Sequence, residues 1–386
     1  MKVAMLTTVG DRCGIAAYTR ALIEGLQTLD NIEVEVVPIT EGRQPTSHYI
    51  EQAEKLNSAN VDIIHIQHEH SFWGGIMPRC SGYWELRYLL KKPIVLTAHT
   101  TYSLEQLLRV KTERRPLKLI AKKLLIRNQA YREGVDTAPF TTAFTIVHTS
   151  AARRELIERG VNSAYVVVVP TGVPEADNSV DGGAAFRSKY HLLNKRTVVI
   201  FGYIAPNKGY ELAMQALISL PQDVVLVIAG GPRNADMEPY VASLKSTIAT
   251  SGLEKRVVIT GYLSDEQVAD AMAASDLVLA PHTQATGSYS ITLPLTHGRP
   301  ILASDMDCFK EIRARVNCME QFESGNLADF EQKLTALLED KDRRDVLSAN
   351  AIKYSNKYSW PKVAASTRSV YENAIKVYSE GHHAPH

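Results

Sequence analysis

The stretch VVIFGYIAPNKGYELAMQAL, Val198 to Leu217, decides the fold. Val198 to Phe201 is a short apolar run without polar alternation, the pattern of a strand covered on both faces. Gly202 to Gly209 then bring glycine, proline and polar residues, and Lys208 stands just before a helix. Strand, glycine-bearing loop and helix in that order are half of a parallel βαβ unit.

Outward from this stretch the unit repeats. Val224 to Ile228, Val257 to Thr260, Leu277 to Ala280 and Ile301 to Ala303 are strand-like, with helical segments between them. The first half has its own series at Val3 to Leu6, Val34 to Val37, Ile63 to Ile66, Ile94 to Thr97, Thr145 to Val147 and Val166 to Val169. Ile15, Leu22, Ile23 and Leu26 keep helical spacing between two of these runs. Two doubly wound α/β domains are expected, residues 1–175 and 184–357, joined by the turn-rich stretch Pro170 to Gly183. After Gly325 the pattern is wholly helical, at Phe330 to Leu338, Arg343 to Lys353 and Trp360 to Tyr378. A helix placed last, over residues 360–380, is expected to cross back onto the first domain. The tail Gly381 to His386 reads as disordered.

With 386 residues, 45% of them hydrophobic, the chain has ample material for two cores, which excludes disorder as the main state. Forty-three Lys and Arg against 42 Asp and Glu leave a charge of +1, so the total exerts no bulk pull toward nucleic acid or membrane. Four cysteines, Cys13, Cys80, Cys308 and Cys318, are too sparse for a disulfide framework and show no CxxC pair, which fits a reducing cytoplasm. No apolar run approaches the roughly 18 residues of a spanning helix, and Met1 to Thr8 reads as a strand, not a signal core.

In open parallel sheets ligands bind where loops leave the carboxyl ends of strands. After the first strand come Gly10 and Gly14, and Gly14 at a helix start lets backbone amides approach an anion. A plain turn explains it equally well. His99 follows Ile94 to Thr97 and is placed to bond a polar substrate or pass a proton; the plainer reading is a loop histidine. His65, His68 and His70 lie together at another strand end, but their spacing matches neither HExxH nor a finger, so polar substrate contact or loop structure is the reading. Lys208 is placed to neutralise a departing diphosphate, Gly231 and Gly261 expose backbone after two strands, and Thr286, Gly287 and Ser288 form a small-residue loop suited to phosphate. The GxGxxG fingerprint is missing from both halves and the P-loop from the whole chain, which argues against an NAD-dependent oxidoreductase.

Together these features resemble the GT-B glycosyltransferase family numbered four. The resemblance rests on the Gly14 loop, His99, the G-x5-K-G of Gly202, Lys208 and Gly209, AGGP at Ala229 to Pro232, and GRPILAS at Gly298 to Ser304. VPTGVP at Val169 to Pro174 and YSWPKVA at Tyr358 to Ala364 extend it over nearly the whole chain. It implies two Rossmann-like domains facing a central cleft, an acceptor side in the first and a nucleotide-sugar donor, GDP- or UDP-linked, on the second. It also implies transfer with retention of anomeric configuration and no required metal or other cofactor. By this resemblance His99 and Lys208 are the catalytic pair, His99 at the donor sugar and Lys208 at the diphosphate. Gly14, Gly202, Tyr203, Gly231, Gly261, Tyr262, Leu263, Thr286, Gly287 and Ser288 complete the donor site.

Two departures stand out. Tyr203 occupies the place of a common arginine, and Ala285 and Leu293 replace paired glutamates. A nucleotide-sugar 2-epimerase or a non-catalytic nucleotide-sugar or glycan binder therefore stays open beside the transferase. On the acceptor side Gln67, His68, Tyr102, Arg109, Lys111, Arg114 and Arg115 are candidates. Leu108 to Arg132 hold nine basic residues against the single acid Glu113, a net +8, with Leu117, Ile120, Leu124 and Leu125 at helical spacing. Such a basic amphipathic helix suits an anionic membrane surface or a lipid-linked acceptor; a solvated face packed on the sheet by its leucines is the plainer alternative. No nucleic-acid partner is expected.

Overall fold

The computed structural model describes residues 1–10, 13–75, 81–101, 143–174, 183–232, 235–284 and 289–381, together with Ile120 and Leu124. The chain divides into two compact units, Met1–Gly172 with Trp360–His386, and Val173–Ser359.

The first unit contains β1 (Lys2–Thr7), α1 (Gly14–Gln27), β2 (Glu33–Pro38), α2 (Thr46–Ser58), β3 (Ile63–His68), α3 (Gly82–Leu89), β4 (Ile94–Ala98), β5 (Phe144–Val147), α4 (Ser150–Glu158) and β6 (Val166–Val168). Its sheet is parallel with strand order β2-β1-β3-β4-β5-β6. Ala4, Leu6, Ile64, Ile66, Ile94 and Leu96 form an apolar layer with Tyr49, Leu56, Tyr83, Leu86 and Leu156. The opposite face carries Met5, His65, Gln67 and Thr97, all fully buried. β2 departs from the two-sided apolar pattern: it is the edge strand, and Glu33, Glu35 and Val36 are exposed.

The second unit runs α5 (Ala184–Lys189), β7 (Arg196–Phe201), α6 (Tyr210–Ser219), β8 (Val224–Ala229), α7 (Glu238–Thr250), β9 (Val257–Ile259), α8 (Asp265–Ala274), β10 (Leu277–Ala280), α9 (Thr292–Thr296), β11 (Ile301–Ser304), α10 (Asp307–Arg315), β12 (Glu320–Phe322), α11 (Leu327–Glu339) and α12 (Lys341–Lys357). Its order, β12-β11-β10-β7-β8-β9, is the doubly wound 3-2-1-4-5-6 arrangement. Val198, Ile200, Leu226 and Leu279 pack on one side with Met214, Leu217, Leu244 and Leu334. Val199, Val227, Val278 and Ala303 pack on the other with Phe186, Met272, Leu295 and Phe309. β12 is too short and polar to announce itself in sequence; it exists because Leu302 to Ser304 offer it a ladder.

The last helix, α13 (Trp360–Ser379), belongs to the first unit. It lies against α1 so closely that a Cβ on Gly25 would stand 2.8 Å from the Trp360 carbonyl oxygen. Buried Val363, Ala364, Thr367, Val370 and Tyr371 line its inner side. Burying each large side chain there contributes roughly 1.5–3 kcal/mol.

Candidate active site

In the second sheet the strand order reverses between β7 and β10, and the loops leaving these two strands meet. Gly202, at φ 115°, turns the chain away from β7, and a one-turn 3-10 helix, Pro206–Lys208, delivers Lys208 back to the sheet end. Gly209, at φ 75°, lets α6 start immediately, since a Cβ there would overlap the Pro281 carbonyl oxygen of the β10 loop. The Lys208 ammonium donates to Ser290 Oγ at 3.0 Å. A Cβ on Gly202 would press on Ser290 and come within 3.5 Å of Lys208 Nζ, so glycine keeps the space beside the cation open. Burial pushes the Lys208 ammonium down to about 8. Next to it His282 is buried, with its imidazole held down to about 3 by burial and then by the Lys208 charge. Its ring meets Phe309 edge-on at 5.3 Å.

Beyond the cation lie the ends of β8 and β9. Gly231 lies so close to Tyr262 that a Cβ would stand 2.9 Å from its ring. The Tyr203 and Tyr262 rings are 6.4 Å apart in an edge arrangement, and Tyr262 is exposed. Gly261 takes φ 73°, and Leu263 tucks against the core. Gly231 is itself buried beneath Tyr262 and does not expose its backbone as the sequence suggests, whereas Gly202 and Gly261 are half-buried. With the partly buried ammonium and two tyrosines they form a surface suited to a phosphorylated, ring-bearing ligand.

In the first unit the carboxyl ends of β1, β3, β4 and β5 bring together a different set. Gly14 opens α1, is exposed, and has open space where a Cβ would stand. His99 follows β4; its backbone N–H donates to His68 O at 3.1 Å, and its Nε2 lies 2.8 Å from Gln67 Oε1. Burial holds the His99 imidazole well below its ordinary value, with the neighbouring His148 and His65 adding to the effect. Tyr18 meets His99, His148 and Trp360 at ring distances of 4.9, 5.1 and 5.1 Å.

The expected residues are thus placed unevenly. Gly202, Lys208, Tyr203, Gly231, Gly261, Tyr262 and Leu263 share one end of the second sheet, and Gly14 and His99 share the same end of the first. Gln67 and His68 are buried, and the Gln67 amide is engaged with His99 instead of facing an open surface. Ala285, Thr286, Gly287, Ser288, Tyr102, Arg109, Lys111, Arg114 and Arg115 lie outside the described residues, as do residues 175–182 of the joining stretch and the tail beyond Gly381. His65 sits inside the sheet, bonded to Thr97 and Tyr371, and not on a loop. Ser290 and His282 were not singled out from sequence. His282 follows β10 as His99 follows β4, so the strand-end rule applied to every strand would find it. Ser290 carries no such signal, since 82 residues separate it from Lys208.

Two parallel-sheet units, one in the 3-2-1-4-5-6 order with a cation at its switch point, define a doubly wound, Rossmann-like class of protein. Residues 184–354 match the glycosyl transferases group 1 family and residues 38–177 match Glycosyltransferase Family 4. The chain belongs to this family of glycosyltransferases and has the GT-B fold. It is 26% identical over 231 residues to a D-inositol 3-phosphate glycosyltransferase of Xylanimonas cellulosilytica, covering 56% of this chain and 53% of that protein. It is 28% identical over 213 residues to the phosphatidyl-myo-inositol mannosyltransferase of Mycobacterium leprae, 53% of each chain. The chain thus spans about half the length of these curated relatives in the matched region. Among solved structures it resembles a glycosyltransferase from Rickettsia africae, with TM-score 0.76 and 15% identity over 97% of this chain and 98% of that one. HepE from Anabaena in complex with UDP-glucose gives TM-score 0.70 and 18% identity over 96% and 99%. At these identities the likeness to the solved structures is one of fold.

Proposed function

We propose that the protein transfers a sugar from a nucleoside-diphosphate donor to an acceptor hydroxyl, with retention of anomeric configuration. The observation that carries this is the Lys208 ammonium at the switch point of the second sheet, held at 3.0 Å by Ser290 and left accessible by Gly202. As the glycosidic bond breaks, negative charge grows on the leaving diphosphate. A pre-placed, partly desolvated cation stabilises that charge more than a solvated one does. Lys208 then carries the compensation that a divalent ion would otherwise supply, which is why we propose metal independence. Gly231, Gly261 and the Tyr203–Tyr262 pair would receive the base, and Gly14 would bring amides toward the diphosphate. His99 would contact the donor sugar. A UDP-sugar is favoured over a GDP-sugar by the HepE complex with UDP-glucose, a protein of like fold.

On the acceptor side, a lipid-linked or anionic polyol is supported by the curated relatives, whose names specify inositol 3-phosphate and phosphatidyl-myo-inositol, and by the basic stretch Leu108 to Arg132. Ile120 and Leu124, from the apolar side of that stretch, are both helical and more than half exposed. That favours an apolar face available to a membrane over one packed on the sheet. Among the described residues no helix is long and apolar enough to cross a membrane. The proposed location is cytoplasmic and peripheral on the membrane.

Thermal-shift titration with UDP, GDP, ADP and their sugars tests the donor assignment, since a ligand that binds the native state raises apparent stability by mass action. A selective shift is expected for one base; no shift with any nucleotide would overturn the reading. The second reading, a binding protein without turnover, draws on Leu293, an apolar side chain in α9 where a carboxylate would hold the ribose. Donor binding without transfer or hydrolysis across an acceptor panel would favour it.

A further inference from the structure

The sheet of the first unit has a reversal of its own. In the order β2-β1-β3-β4-β5-β6 the chain leaves β1 for β2 and returns to β3 on the other side of β1. Ligands of open parallel sheets bind beyond the carboxyl ends of the strands that flank such a point. On the β1 side stand Thr8 and Cys13, whose Sγ accepts from the Thr8 hydroxyl at 3.4 Å, and then Gly14. None of these carries positive charge. On the β3 side the first residue past the strand is Glu69.

The backbone fixes Glu69 in this place. It is extended, at φ −138° and ψ 133°, and its carbonyl oxygen accepts from the Phe72 amide at 3.0 Å, which closes the 3-10 turn His70–Trp73. Phe72 and Trp73 are buried and anchor that turn. Gln67 and His68, expected from sequence on the acceptor side, point into the protein, whereas Glu69 is half-buried. On the neighbouring strand the His99 amide donates to the His68 carbonyl oxygen at 3.1 Å, which brings Thr100 level with Glu69, and the Thr100 hydroxyl donates to Glu69 Oε2. A carboxylate only accepts, so the direction of this bond is fixed.

Among the described residues Glu69 Oε1 has no partner and the carboxylate forms no ion pair. The imidazoles of His68 and His99 are both held well below their ordinary value by burial, so near neutral pH they bring no compensating charge. An unpaired, half-buried carboxylate costs stability, and donors on a ligand would recover that cost. Oε1 keeps both its lone pairs, enough for two hydroxyls on adjacent ring carbons, while its charge repels a phosphate.

We propose that Glu69 is an acceptor-binding residue: with Thr100 fixing the carboxylate, Oε1 receives hydroxyl groups of a sugar or cyclic polyol at the β1–β3 end of the first unit. That this ligand is the acceptor rests on the transferase reading above; the unfilled oxygen at the reversal of the sheet does not. Charge also sets the ligand's orientation. An acceptor that bears a phosphate turns its hydroxyls toward Glu69 and its anionic group away.

The test reads binding before turnover. Saturation-transfer NMR is recorded on glucose, mannose, galactose and myo-inositol with the full chain, both free and saturated with UDP. At least one of the four is expected to bind the wild type, and Glu69→Gln, which replaces one acceptor oxygen by an amide donor, should raise its Kd about tenfold or more. No bound sugar or polyol in the wild type, or an equal Kd in the variant, overturns the proposal. Should Glu69→Gln not fold, Glu69→Asp draws the carboxylate back by one methylene, and an equal Kd there overturns it as well. Calorimetry with UDP and UDP-glucose separates donor from acceptor, since Glu69→Gln should leave both affinities unchanged. A loss of UDP-glucose affinity with sugar or polyol binding retained would give Oε1 to the donor and overturn the proposal. In a turnover assay the acceptor KM should rise in Glu69→Gln by the same factor as the Kd. A sugar or polyol bound through Glu69, with no transfer to it from any donor, would leave the site standing and overturn the transferase reading.

Discussion

Lys208 and Ser290, from loops following β7 and β10, are joined by a 3.0 Å hydrogen bond at the reversal point of the second sheet. Burial holds the Lys208 ammonium at about 8, so without ligand a growing fraction is neutral above that pH. A diphosphate favours the charged form and raises the value. Affinity for the nucleoside diphosphate should therefore be nearly flat below about pH 8 and fall above it, by up to about tenfold per pH unit. Calorimetry from pH 6.5 to 9.5 in buffers of different ionisation enthalpy should also record proton uptake above pH 8. Constant affinity to pH 9.5 would remove Lys208 from the phosphate site.

Substitution separates charge from orientation at this point. Lys208→Ala should abolish turnover and weaken nucleoside-diphosphate binding. Ser290→Ala keeps the cation and removes its anchor, with an expected loss of about 1 kcal/mol in diphosphate binding. If both variants bound the diphosphate like wild type, the site would lie elsewhere.

His99→Ala should behave differently. His99 is proposed to contact the donor sugar and not the diphosphate, so nucleoside-diphosphate affinity should persist while sugar transfer falls by about a hundredfold or more. Equal transfer rates in variant and wild type would exclude His99 from the chemistry.

Gly209→Ala is a packing test. The residue has φ 75° and ψ 32°, and the added methyl would overlap the Pro281 carbonyl oxygen. The combined backbone and steric cost should exceed about 3 kcal/mol, read as a lower midpoint in urea. An unchanged midpoint would mean that the β10 loop yields freely.

Binding to vesicles tests the basic stretch. Each basic residue near an anionic surface contributes roughly 1 kcal/mol, so flotation should show binding to anionic vesicles that fades with salt, and little to neutral ones. Replacing Arg114, Arg115, Lys122 and Lys123 by glutamine should reduce it. Equal partitioning to both vesicle types would sink the membrane proposal.

The sequence made the buried strands legible because parallel strands covered on both faces are runs of Val, Ile and Leu, as at Val198 to Phe201 and Val224 to Ile228. Edge strands escape this rule. β2 alternates Glu33 and Glu35 with valines, and β12 is Glu320, Gln321 and Phe322. Lys208 was legible because it follows a strand and two glycines mark its loop. Its partner Ser290 was not, because tertiary contact alone brings them together. His65 has the same history: beside His68 and His70 it reads as a strand-end cluster, yet its bond is to Tyr371, 306 residues away.

The return of α13 to the first unit also fixes an order of events during biosynthesis. Val173–Ser359 is an unbroken segment, whose core is complete once that segment has left the ribosome. Met1–Gly172 emerges earlier, but the side of its sheet carrying His65 and Gln67 has no cover from Val363, Thr367 and Tyr371 until α13 is made. The half synthesised first is thus the half finished last. A nascent chain stalled before Trp360 would present a folded second unit beside a first unit with buried-type histidine and amide groups open to water, a state that proteases and chaperones can recognise.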